Sequence, residues 1–161
     1  MLILALSLLA MALPAPAESF RPDFSGRWTF DQPKSMEKPG PDGRIVLAAM
    51  LGDEFVAKQD STTLTLSITV GGQLVTAVYS LAGKETRNIS PGDIAVTSRA
   101  AWEARRLVIR STSAGTEKGR PITIRSRRVI WLDTDGSLVI ERTGTPASVV
   151  TPSRSVYRKR S

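Results

Sequence analysis

The chain has 161 residues, with 22 Lys and Arg against 15 Asp and Glu, giving a net charge of +7. It contains no His and no Cys. That excludes Ser-His-Asp and Cys-His nucleophilic machinery, the common zinc sites, His-ligated haem, disulfides and any cysteine-borne lipid anchor. The basic excess suits anionic lipid head groups or polysaccharide, or serves solubility alone; the basic residues lack the interleaved aromatics that stack bases, so nucleic acid is not expected.

In chain order, Leu2 to Leu13 form an apolar run too short for the roughly 20 residues that span a bilayer, and Pro14 ends it. Ala15-Pro16-Ala17 then supplies the small residues of an export cleavage site. Residues 1–17 are therefore expected to be a removed signal peptide, with an uncleaved anchor as the other arrangement. Residues 18–161 follow as one domain with a periplasmic or extracellular destination and no transmembrane segment after cleavage.

Phe24, Gly26, Trp28 and Phe30 alternate with Ser25, Arg27, Thr29 and Asp31, the period of a half-buried first strand. Gln32 to Gly43 carries three prolines and two glycines and is expected to be irregular. Residues 44–51 are largely apolar and stop at Gly52, which leaves a short helix and a buried strand both open. From Glu54 the pattern is strand after strand. Glu54–Gln59 pairs with Leu64–Val70, and Gly71-Gly72 turns into Gln73–Leu81, since two glycines accept positive φ. Ile94–Glu103 with Arg106–Ser113 makes another hairpin. Pro121–Leu132 with Ser137–Arg142 makes a third, and Arg154–Arg160 is a last strand. About nine strands joined by tight turns describe an antiparallel meander, which closes on itself to remove its open edges. The expected fold class is all-β, an up-and-down barrel of about eight to ten strands rather than a sandwich.

Gly26-Arg27-Trp28 on a first strand, followed by a meander ending in a basic strand, resembles the calycin group of lipocalins and fatty-acid-binding proteins. The resemblance is closer to small secreted bacterial proteins that open with Phe-Ser-Gly-x-Trp. Its further marks are Lys34-Ser35, Gly71-Gly72, Ala101-Trp102-Glu103, the hairpin from Asp133 to Leu138 and the terminal Val156-Tyr157-Arg158. It implies a lipocalin-like barrel in which Gly26 permits close packing, Trp28 plugs one end and a C-terminal Arg lies across it. Arg158 or Arg160 is the candidate for that role, with Arg158 preferred because it shares a face with Val156. The Thr-Asp-Tyr motif of ligand-carrying lipocalins is absent.

Catalytic chemistry finds little support. Asp53-Glu54 and the Asp133/Asp135 pair are the acidic groupings, and nothing in the sequence sets them around a cleft as acid/base hydrolysis requires. Asp133-x-Asp135-Gly136 lacks the later ligands of a calcium loop and reads as a hairpin turn. No enzyme activity, metal or cofactor is expected. In Pro121–Leu132, Ile122, Ile124, Ile130 and Leu132 share a parity that strict alternation extends to Ser126 and Arg128. An inward guanidinium needs a carboxylate, carbonyls or an anionic ligand head group, so Arg128 and Ser126 are the candidate ligand-binding residues. A β-bulge near Arg127-Arg128 would instead return Arg128 to water. The sequence thus points to a non-enzymatic binder of a small hydrophobic or amphipathic anionic ligand. The alternative is an envelope-associated protein with a packed barrel, whose basic surface meets anionic polymer, lipid or a protein partner.

Overall fold

The computed structural model describes residues 21–43 and 50–161; the expected signal peptide and most of the 44–51 run lie outside them. The described residues form ten strands and one short helix. The elements are β1 (Gly26–Phe30), α1 (Gln32–Glu37), β2 (Glu54–Gln59), β3 (Thr63–Val70), β4 (Gln73–Ser80) and β5 (Glu85–Ser90). They continue with β6 (Ile94–Glu103), β7 (Arg106–Glu117), β8 (Arg120–Leu132), β9 (Leu138–Thr145) and β10 (Ser153–Arg160). All pairings are antiparallel, in the order β4-β3-β2-β1-β10-β9-β8-β7-β6-β5. β1 and β10 pair, and β4 and β5 stand side by side without a ladder between them. The result is a calycin-like antiparallel barrel, nearly closed and open along one seam.

Turn chemistry sets the register. Gly71 and Gly72 both take positive φ, 56° and 79°, as a two-residue hairpin turn requires. Two elements depart from the sequence pattern. The stretch after Asp31 is not irregular throughout, because α1 forms there. Asp31 caps it by accepting the Lys34 N–H at 3.2 Å, and Pro33 falls in the first turn, where a missing N–H costs no helical hydrogen bond. β5 has no apolar inner face to announce it. Its inward positions are Thr86, Asn88 and Ser90, while Ile89 points out and is exposed.

The core fills the end of the barrel where Trp28, Trp102, Leu107, Leu132 and Leu138 meet. Trp28 is buried and donates its indole N–H to Phe24 O at 2.9 Å. Phe24 stacks on Trp102 at 5.7 Å between ring centroids. The ladders also define inner rows across β7, β8, β9 and β10. Leu107, Ile130, Ile140 and Ser155 form one row, and Ile109, Arg128, Arg142 and Ser153 form the next. The interior thus changes from aromatic and aliphatic to partly polar within one row.

Candidate functional site

A cavity of about 210 Å³ lies within the barrel beside the β4/β5 seam. Leu66 and Ile68 of β3, Val75 and Ala77 of β4, and Val96 of β6 supply its apolar wall. These residues face inward because each alternates with an outward neighbour in an unbroken ladder. Met50 and Leu51 cover part of it from the connection between α1 and β2. The Leu51 N–H donates to the buried Tyr157 hydroxyl at 3.0 Å, and the Ser153 hydroxyl lies 3.3 Å from Met50 Sδ.

Arg128 is the cationic residue lining this cavity. No bulge interrupts β8 near it: Ile109 pairs with Arg128, and Arg110 with Arg127. Strict alternation therefore carries Arg128 inward. Its Nη1 donates to the Tyr79 hydroxyl at 3.3 Å. Directly across the β8–β9 ladder stands Arg142. Burial, and secondarily the charge of Arg128, push Arg142 below the usual arginine range. Among the described residues, the Nε atoms of Arg128 and Arg142 are both buried without a hydrogen-bond partner. Tyr157 belongs to the same region; burial pushes its phenol up to about 12, despite the hydrogen bonds it receives from Leu51 and shares with Ser155.

Ser126 also faces inward, one row further along, opposite Ser111 and Gly144. It does not line the cavity with Arg128; it borders a separate groove with Ser111 and Gly144. The plug at the closed end differs from the expectation in one residue. Arg158 lies opposite Thr29 on the outer face, with Nε 3.0 Å from Asp31 Oδ2, and Arg160 reaches Glu54 at 2.6 Å. Odd-numbered positions of β10 face inward, so Lys159 stands across from Trp28. Gly26 faces the same Lys159: a Cβ there would lie 2.6 Å from its Cε.

Asn88, which lines the cavity, and Arg142, which stands across the ladder from Arg128 outside the lining itself, were not singled out by sequence reasoning. Arg142 continues an inward parity from Leu138 and Ile140, and that parity was a usable signal. Asn88 lines the cavity and also bridges the seam. It accepts the Val78 N–H at 2.8 Å and donates to Val78 O at 3.0 Å, as a strand backbone would. Among the described residues, no group of three or more Asp or Glu is placed to hold a metal ion, and no helix is long and apolar enough to cross a membrane.

No protein-family model matches the chain, and no curated protein matches it by sequence. Solved structures do match in shape. The apo form of Caenorhabditis elegans lipid binding protein 8 is 16% identical with a TM-score of 0.55, over 85% of this chain and 95% of that one. The N57A mutant of the fluorescent protein UnaG is 17% identical with a TM-score of 0.53, over 86% of this chain and 96% of that one. At such identities the likeness is one of fold, and the fold is that of the calycin-like barrels.

Proposed function

We propose that the protein is a non-enzymatic binder of a small amphipathic anionic ligand, exported to the periplasm or beyond. The observation that carries the reading is Arg128. It is a guanidinium on the wall of an apolar cavity, with its Nε buried and unpartnered among the described residues. A cation held in this way is costly unless an anion meets it, and a ligand head group supplies that anion. The apolar wall takes the ligand's tail, and Met50 and Leu51 shield it from water. A barrel neighbour named for lipid binding supports the reading at the level of fold. Export rests on the apolar run from Leu2 and on Ala15-Pro16-Ala17.

The test is native mass spectrometry of the protein purified from its own source, with solvent extraction of whatever travels with it, followed by displacement of a fluorescent fatty-acid analogue. A bound small molecule in one-to-one stoichiometry, displaced by anionic amphiphiles and lost in Arg128→Leu, is the expected result. A folded protein that carries nothing and leaves the probe unchanged overturns the reading. The net charge of +7 supports a second reading, in which the basic exterior meets anionic envelope polymer or lipid. Salt-sensitive binding to anionic vesicles by a protein with an empty barrel would favour it.

A further inference from the structure

We propose that the head group this cavity selects is a dianion of the phosphate-monoester class, in preference to a monocarboxylate. The inference rests on the ligand reading above and narrows it to one chemistry. Its foundation is the cross-strand pair Arg128 and Arg142, directly opposite each other on the inner face. Opposed residues in such a ladder have Cβ atoms about 4.5–5.5 Å apart, and like charges at that spacing destabilise the sheet.

Among the described residues neither guanidinium forms an ion pair with a carboxylate, and Asp53 lies by Tyr157. Among the described inward positions, the residue bearing a carboxylate is Glu117, six residues along β7 from Ser111, and it bonds Ser148. The neighbouring row offers Ser111, Ser126 and Gly144, and the pair's own row ends in Ile109 and Ser153. A monocarboxylate entering here would leave one buried positive charge uncompensated. A phosphate monoester carries up to two charges, with its second ionisation near pH 6, and presents three acceptor oxygens. Two guanidinium forks match such an acceptor better than they match a single carboxylate. Tyr79 adds to them, since its hydroxyl accepts from Arg128 and keeps its own proton to donate.

A volume of about 210 Å³ admits a short alkyl chain, which makes octyl derivatives suitable probes.

The probes are n-octyl phosphate, n-octyl sulfate, n-octanoate and inorganic phosphate, titrated calorimetrically into the full-length protein from pH 5 to pH 8. The charged and titratable groups around the pair are Tyr79 of β4 and Tyr157 of β10, with Asp53 beside Tyr157. The chain has no His, so no side chain with an ordinary pKa titrates in this window, and a pH response reports the ligand. Octyl phosphate is expected to bind at least tenfold more tightly than octyl sulfate or octanoate at pH 8, and to lose that advantage toward pH 5. Arg142→Gln should abolish the advantage of octyl phosphate over octyl sulfate, with circular dichroism reporting the fold. Equal affinity of the three amphiphiles, or a phosphate profile flat with pH, overturns the head-group proposal and leaves the ligand reading standing. Inorganic phosphate binding as tightly as octyl phosphate overturns the amphipathic ligand. Failure of all four probes to bind the folded protein overturns the ligand reading itself.

Discussion

Lys159 stands directly across the β1–β10 ladder from Trp28, with its ammonium 5.7 Å from the centre of the indole ring. The contact seals the aromatic end of the barrel with a cation over a π face, and its stem crosses the space a side chain at Gly26 would need. Lys159→Ala is expected to lower stability by about 0.5–1 kcal/mol, and Trp28→Ala by about 3–5 kcal/mol. Urea unfolding followed by circular dichroism checks both; an unchanged midpoint for Lys159→Ala would remove the cation from the account.

Gly26 itself sits at φ 141°, a conformation that side chains rarely adopt, and its missing Cβ makes room for the Lys159 stem. Gly26→Ala should cost about 1–3 kcal/mol from backbone strain and displacement of the lysine. The double variant Gly26→Ala with Lys159→Ala separates the two: recovery of part of the loss identifies the clash, and no recovery identifies strain alone.

Arg128 and Arg142 repel across the β8–β9 ladder. Arg128→Met is therefore expected to leave ligand-free stability unchanged or raised by about 1 kcal/mol, while abolishing displacement of an anionic fluorescent probe. Thermal melts and probe titration on the same preparation provide the comparison. A large destabilisation would mean that the Tyr79 hydrogen bond outweighs the repulsion.

Asn88 replaces a strand's ladder across the β4/β5 seam with the two hydrogen bonds of one amide. Asn88→Ala should cost about 1–2 kcal/mol, and hydrogen exchange should accelerate at Val78 and its β4 neighbours first. Uniform acceleration through the barrel would show global loosening instead of an opened seam.

Tyr157 links folding to alkaline pH. Its phenol is pushed up to about 12 by burial, against about 10 in an unfolded chain. The neutral form is the one the fold favours, so this contribution is fully present below pH 10 and is lost as pH rises through the folded value. It is worth about 2–3 kcal/mol. In a Tyr79→Phe background the phenolate absorbance reports Tyr157 alone, since the chain has two tyrosines. Ionisation near pH 10 without unfolding would contradict the buried placement.

The strands with an apolar inner face were legible because their period matches the pleat. Leu64, Leu66 and Ile68 share the inner face in a single register, while Val70, on the same parity, reaches the exposed end of β3. β5 was not, because Thr86, Asn88 and Ser90 carry its inner face beside the seam, where side-chain amide chemistry stands in for a ladder. α1 was obscured by prolines that a first helical turn tolerates. The inward parity of Arg128 was visible but open, since one bulge would have reversed it.

Alternation, turn residues and the absence of His and Cys were thus enough to determine an all-β meander and to exclude whole classes of chemistry, because these are local properties of the chain. Which cation covers Trp28, which guanidinium faces Arg128 and what bridges the seam depend on strand register. One residue of register turns a side chain from water to the core, and register is decided only when all the ladders meet around the barrel.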